Sequence, residues 1–179
     1  MENLTLRSWS ADDRDLLQAA NTPEMTAYLN GPETEEEIDE RHARYLRLQS
    51  AGEARMFVIV DDEGERLGSI GLWPVDWHGA PAMETGWFVL PSAQGRGVAT
   101  RALELLIEVA RRERTGRRSL MACPGVDNAA SNGVCRRAGF TLVGTVTEPF
   151  RGADLTVNEW VLDLEATDGG DAESPPGRA

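Results

Sequence analysis

The chain has 179 residues, 41% of them hydrophobic and 27% charged, with a formal net charge of -12; that bounds it to one domain of ordinary core size plus a short appendage. No basic face stands out, which excludes nucleic acid as an expected partner. No stretch nears the roughly 20 apolar residues of a membrane span and no signal-peptide pattern is seen, so a cytoplasmic protein is expected, with Cys123 and Cys135 as reduced thiols.

Leu4 and Leu6 alternate with Thr5 and Arg7, predicting a half-buried strand over 3–9. Ser10 and Asp13 have the spacing of a helix start that continues through LLQAA. Asn30, Gly31 and Pro32 break the chain, and Thr34 with Glu37 forms a capping box for a helix from about Glu35 to Leu48. MFVIV at 56–60, the turn DDEGE and RLGSIGLW at 66–73 predict an antiparallel hairpin. WPVDWHGAP, 73–81, reads as a loop. METGWFVL at 83–90 is a further strand, stopped by Pro91. Val98, Ala102, Leu105, Leu106 and Val109 have helical spacing over 98–112. SLMAC at 119–123 is an apolar strand, so strand, helix and strand imply a right-handed parallel crossover. A short helix over 128–138 ends at Gly139, and TLVGTV and LTVNEWVLDL close the sheet. The expected fold class is α/β (α+β): a mixed, mostly antiparallel sheet with helices on both faces, over 1–165. The composition after Ala166 predicts a disordered acidic tail over 166–179.

The stretch LPSAQGRGVATRAL, 90–103, places Gln94, Gly95, Arg96 and Gly97 between an apolar run and a helix start. A helix start carries unsatisfied amides and partial positive charge, and glycines admit close backbone approach. Together they suit a phosphate or diphosphate. A P-loop needs a Gly-Lys-Ser/Thr ending, which is absent, and a dinucleotide fingerprint needs Gly where Thr100 stands.

QGRGVA, Gln94 to Ala99, resembles the pyrophosphate loop of the GCN5-related N-acetyltransferases (GNAT). ETGWFVLPSAQGRGVATRAL resembles that family's strand–loop–helix core, and NAASNGVCRRAGF, 128–140, its second core segment. The Asn-x-x-Ser form, with YLNGPETEEE at 28–37, is similar to the ribosomal-protein N-terminal acetyltransferase (RimJ/RimL-like) branch. The resemblance spans roughly residues 3 to 164. It implies a sheet of about seven strands with a V-shaped opening between two parallel middle strands. It also implies acetyl-CoA as cosubstrate, an amine acceptor and no metal.

The resemblance assigns the diphosphate to the backbone of Gln94, Gly95, Arg96, Gly97, Val98, Ala99 and Thr100, with Arg96 adding charge. The pantetheine arm would pair with Phe88, Val89 and Leu90, like an added strand. Attack of an amine on a thioester needs a base, an acid for the thiolate and a fixed N–H for the oxyanion. Glu84 matches the family's base, acting through a bridging water; otherwise it is an ion-paired or exposed strand end. Ser131 matches the branch's sulfur-contacting residue. The family's usual Tyr falls on Cys135, which either donates a proton or is a small buried residue. The amide of Leu90 or Val89 would polarise the carbonyl. Asn128 caps its helix and would touch pantetheine. The acceptor side would draw on Met25, Tyr28, Leu29, Trp73, Glu84, Glu148, Phe150 and Arg151. Trp77 is a further pocket candidate, while His42 and His78 are isolated, without metal spacing.

The expected function is direct acetyl transfer from acetyl-CoA to a primary amine, either a protein N-terminus or a small cationic amine, in a ternary complex. The absent Tyr keeps open a module that holds acyl-CoA without turnover. Self-association into a homodimer is also left open.

Overall fold

The computed structural model describes residues 3–166. Apart from Ala166, the tail expected over 166–179 lies outside the described residues. Seven strands form one sheet: β1 (Thr5–Ser8), β2 (Arg55–Val60), β3 (Arg66–Trp77), β4 (Ala80–Val89), β5 (Ser119–Ala122), β6 (Thr141–Phe150) and β7 (Ala153–Asp163), in the order β1-β2-β3-β4-β5-β7-β6. Among the described residues, only β4 and β5 run parallel. The helices are α1 (Arg14–Ala19), α2 (Glu35–Ser50), α3 (Val98–Glu113) and α4 (Ala129–Arg137).

The helices pack on both faces, as expected. On one, α3 buries Val98, Ala102, Leu103, Leu106, Ile107 and Ala110, and α4 adds Val134 and Cys135, against Ile70, Leu72, Leu120 and Trp160. The buried face of α3 includes Leu103 and Ile107, while Leu105 and Val109 pack at its margin. On the other face, Leu16, Leu17 and Ile38 cover Met56, Val58 and Val60. Thr34 caps α2: its hydroxyl accepts from the Glu37 amide at 3.2 Å, and the Glu37 carboxylate accepts from the Thr34 amide at 2.7 Å.

The segment expected as a loop at 73–81 is instead a hairpin. β3 runs on through Pro74 to Trp77, paired with β4 from Trp73↔Glu84 to Trp77↔Ala80. The β2–β3 ladder reaches no further than Arg55↔Leu72, and alternation points the Pro74 nitrogen to that unpaired side. His78 and Gly79, at φ 51° and 81°, make the two-residue turn. Trp73 and Trp77 are therefore sheet residues. Trp73 packs among the α2-side core, and a Cβ on Gly86 would lie 3.1 Å from its ring.

Candidate active site

β4 and β5 pair over only three positions, Met83↔Leu120, Glu84↔Met121 and Thr85↔Ala122. β5 then ends, while β4 continues through Gly86, Trp87, Phe88 and Val89. The backbone edge of those four residues faces a V-shaped gap. The Leu90 amide donates to the Leu67 carbonyl at 2.8 Å. Antiparallel alternation then turns the Trp87 and Val89 backbones away from β3 and into the gap. Of the two amides considered for the carbonyl, Leu90's is occupied and Val89's faces the opening. The Val89 carbonyl accepts from Gln94 Nε2 at 2.9 Å, tying the strand end to the following loop.

That loop leads into α3. Gly95 and Gly97 have φ of 74° and 81°, and a Cβ on either would meet nothing within 4 Å. Their need is a left-handed backbone, and the space before them is open. The Arg101 amide is bonded back to Gly97, so the amides of Val98, Ala99 and Thr100 precede the helical ladder. The Gln94 amide is not available with them, because it donates to the Pro91 carbonyl at 3.3 Å.

Opposite stands α4. Asn128 caps it, its side-chain oxygen accepting from the Ser131 amide at 3.1 Å. Asn132, one residue on, is buried and fully engaged. Its side chain donates to the Gly125 and Asn128 carbonyls and accepts from Asn158 and from Trp160 Nε1. This network fixes α4 and the loop before it to β7.

A cleft of about 750 Å³ runs between these elements. The structure brings Phe88, Val89, Gln94, Gly95, Gly97, Val98, Ala99, Thr100, Asn128 and Ser131 to its walls, with Tyr28 and Met25 at one side. Leu90, Trp73, Glu84 and Phe150 do not line it, and Arg96 lines an adjoining recess of about 280 Å³ with Arg101 and Arg137. Cys135 is fully buried in the core, and burial pushes its thiol up to about 12, which removes it as a donor facing the cleft. Trp87 and Arg137 are among the lining residues that the sequence pattern does not single out. Trp87 was hidden by its place beside the residues chosen for pantetheine. Arg137 lines both spaces and donates to Thr100 Oγ1 at 3.3 Å; a basic residue ending a helix beside the second core segment was the available signal.

Glu84 sits at the root of the gap, on the last-but-one β4–β5 pair. Burial raises its carboxyl above the ordinary range, a hydrogen bond from the Trp73 side chain opposes this, and nearby Glu148 raises it further. Strand alternation puts Glu84, Glu148 and Glu159 on one face of the sheet. Cys123 reports their proximity: burial first, then Glu84, Glu159 and Glu148, pushes its thiol up to about 12. Glu159 accepts from Trp77 Nε1 at 3.1 Å and lies 3.8 Å from exposed His78. His42 accepts from Trp9 Nε1 and lines neither cavity. Among the described residues, no three His, Cys, Asp or Glu side chains could hold a metal ion, and no helix is long and apolar enough to cross a membrane.

A seven-stranded sheet splayed at its one parallel pair, with a helix N-terminus opening into the splay, is the GNAT-like architecture. Residues 3–141 match the acetyltransferase (GNAT) domain family, and the chain belongs to that family. It is 30% identical over 133 residues to the ribosomal-protein-serine acetyltransferase of Escherichia coli (strain K12), covering 74% of this chain and 69% of that protein. The structure superposes on RimL, a ribosomal L7/L12 alpha-N-protein acetyltransferase solved in complex with coenzyme A, with a TM-score of 0.75 and 25% identity over 92% of this chain and 96% of that one. A spermidine N-acetyltransferase from Vibrio cholerae, solved with CoA and spermine, shares the fold at a TM-score of 0.75 and 19% identity, over 90% and 95% of the two chains. The chain is an acetyl-CoA-dependent N-acetyltransferase.

Proposed function

We propose that the acceptor is the α-amine of a protein N-terminus and that transfer is direct, within a ternary complex. The observation that carries this reading is the gap itself: unpaired β4 backbone and helix-start amides face it, and the half-buried Glu84 carboxylate stands at its root. The chain's similarity to a ribosomal-protein-serine acetyltransferase favours a protein N-terminus.

The residues divide the work as follows. The first-turn amides of α3, with Arg96 and Arg137 beside them, hold the donor's diphosphate. The backbones of Trp87 and Val89 pair with its amide-bearing arm. The Val89 N–H polarises the thioester carbonyl, where charge develops. Glu84, through one water, takes the proton from the acceptor ammonium. The freed lone pair attacks the carbonyl carbon, the carbon–sulfur bond breaks, and sulfur leaves with the electron pair. Ser131 donates a hydrogen bond to that sulfur, and the released proton ends on it as thiol.

A second reading has its own support. The shared face of Glu84, Glu148 and Glu159 suits a small polycationic amine. Both are tested by release of free thiol from acetyl-CoA across a panel of N-terminal-serine peptides, polyamines, amino acids and aminoglycosides. Peptides with the highest kcat/KM support the first reading, and polyamines the second. Tight acetyl-CoA binding with no thiol release on any amine would make the chain a holder of acyl-CoA without turnover. Glu84→Gln is expected to lower kcat by about 10²–10⁴ while leaving acetyl-CoA affinity unchanged. A large loss of affinity instead would refute the base assignment.

A further inference from the structure

The segment 21–34 has neither helix nor strand, yet its Glu24, Met25 and Tyr28 form one wall of the cleft. Its neck is closed by Asn21, whose side chain exchanges two 2.8 Å hydrogen bonds with the backbone of Glu33. The Glu33 carboxylate is only 7% exposed and has both oxygens taken, one by Arg41 of α2 at 2.6 Å, the other by Arg151 at 2.9 Å. Arg151 also donates to the Gly31 carbonyl at 3.2 Å, and Asn30 Nδ2 donates to the Phe150 carbonyl at 2.6 Å. The wall is thus fastened to the turn between β6 and β7, more than a hundred residues away in sequence.

The turn residues sharpen the point. Arg151 and Gly152 have φ of 49° and 77°, the geometry of a type I′ turn. Asn or Asp suits its first position, because both tolerate a left-handed backbone, and Arg does not. Local turn chemistry argues against Arg151; its side-chain reach to Glu33 and Gly31 argues for it. A local rule broken where a distant contact gains is the pattern of a residue placed for its side chain.

We propose that Arg151 and Glu33 are positioning residues for the acceptor side of the transfer reaction. Their ion pair ties the last hairpin to the cleft wall and so fixes where Met25 and Tyr28 meet the incoming amine. Neither side chain touches the reacting atoms. The proposal rests on the acetyl-transfer reading, and its test separates the two.

Arg151→Asn improves the turn's own chemistry while removing the two links that Arg151 makes to the wall, to Glu33 and to the Gly31 carbonyl. Its melting temperature is expected to hold or rise. Amide hydrogen exchange over 21–34 should accelerate about ten-fold or more, with the rest of the chain unchanged. With the best amine of the panel, the acceptor KM should rise about five-fold or more, while kcat and the acetyl-CoA KM stay within about two-fold. Arg151→Lys, which keeps the charge, should recover part of the acceptor KM. Unchanged exchange overturns the fastening. Faster exchange with an unchanged acceptor KM overturns the positioning role, and a lowered melting temperature makes Arg151 a structural residue only. If the wild-type chain releases no thiol with any amine, the transfer reading fails, and the positioning role falls with it. Exchange then still decides whether Arg151 holds the wall.

Discussion

Glu84 owes its proposed chemistry to surroundings that its own sequence neighbours do not reveal. Its carboxyl is raised by burial first, lowered by the Trp73 side chain, and raised again by Glu148. A base works only when deprotonated, so kcat/KM should climb as pH rises through that raised value. The acid limb of the profile is expected above the ordinary carboxyl value of about 4.3. Glu148→Gln removes the like charge and should move the limb to lower pH. A limb that stays put, measured with the same amine, would show that Glu148 does not act on the base. Glu84 was legible as a position through the family pattern ETGWFV. Its burial and its two neighbours were not, because Glu148 lies far along the chain. Ser131 and Cys135 show the same limit. The letters offered both as donors, and only packing turned one to the cleft and the other into the core.

At the scale of an element, α4 is the instructive case. Its start was legible because capping is local: Asn128 reaches only to the Ser131 amide. Its docking was not, because Asn132 finds Asn158 and Trp160 on β7. A buried polar side chain with every group satisfied is costly to break. Asn132→Leu would strand Trp160 Nε1 in the interior. The expected cost is about 2–3 kcal/mol, seen in calorimetry as a fall in Tm of roughly 5–10 °C for a chain of this size. A fall under about 2 °C would mean the network contributes little. The β3–β4 hairpin failed to show in the sequence for a related reason. Pro74 reads locally as a strand breaker, and only the end of the β2–β3 ladder at Arg55↔Leu72 gives its missing N–H a harmless side.

Across the whole molecule, Asp13 joins separate parts of the chain. Arg7 of β1 grips it with two hydrogen bonds of 2.7 and 3.0 Å, Ser10 adds two more, and Arg66 of β3 lies 3.5 Å away. Burial alone would raise this carboxyl, but hydrogen bonds from Arg7 and Ser10 outweigh it and hold the value at about 2. A depressed carboxyl stabilises the fold above its unfolded value, and that stability is lost as pH falls through the folded value. The wild-type chain should therefore lose on the order of 2 kcal/mol between about pH 4 and pH 2. Asp13→Asn should be less stable at neutral pH and lack that share of the acid loss; equal acid profiles in denaturant titrations would refute the account. The sequence by itself determined the order of the elements, the caps of α2 and α4, the glycine loop before α3 and, through its core segments, the family. Periodicity, capping and turn chemistry act within a few residues, so letters record them. The tertiary structure alone decided which amides remain for a ligand, with Leu90 bound to Leu67 and Gln94 to Pro91, how deeply Glu84 is buried, and what fastens the cleft wall. Those depend on what occupies each hydrogen-bonding group and excludes water from it, and the partners come from anywhere along the chain.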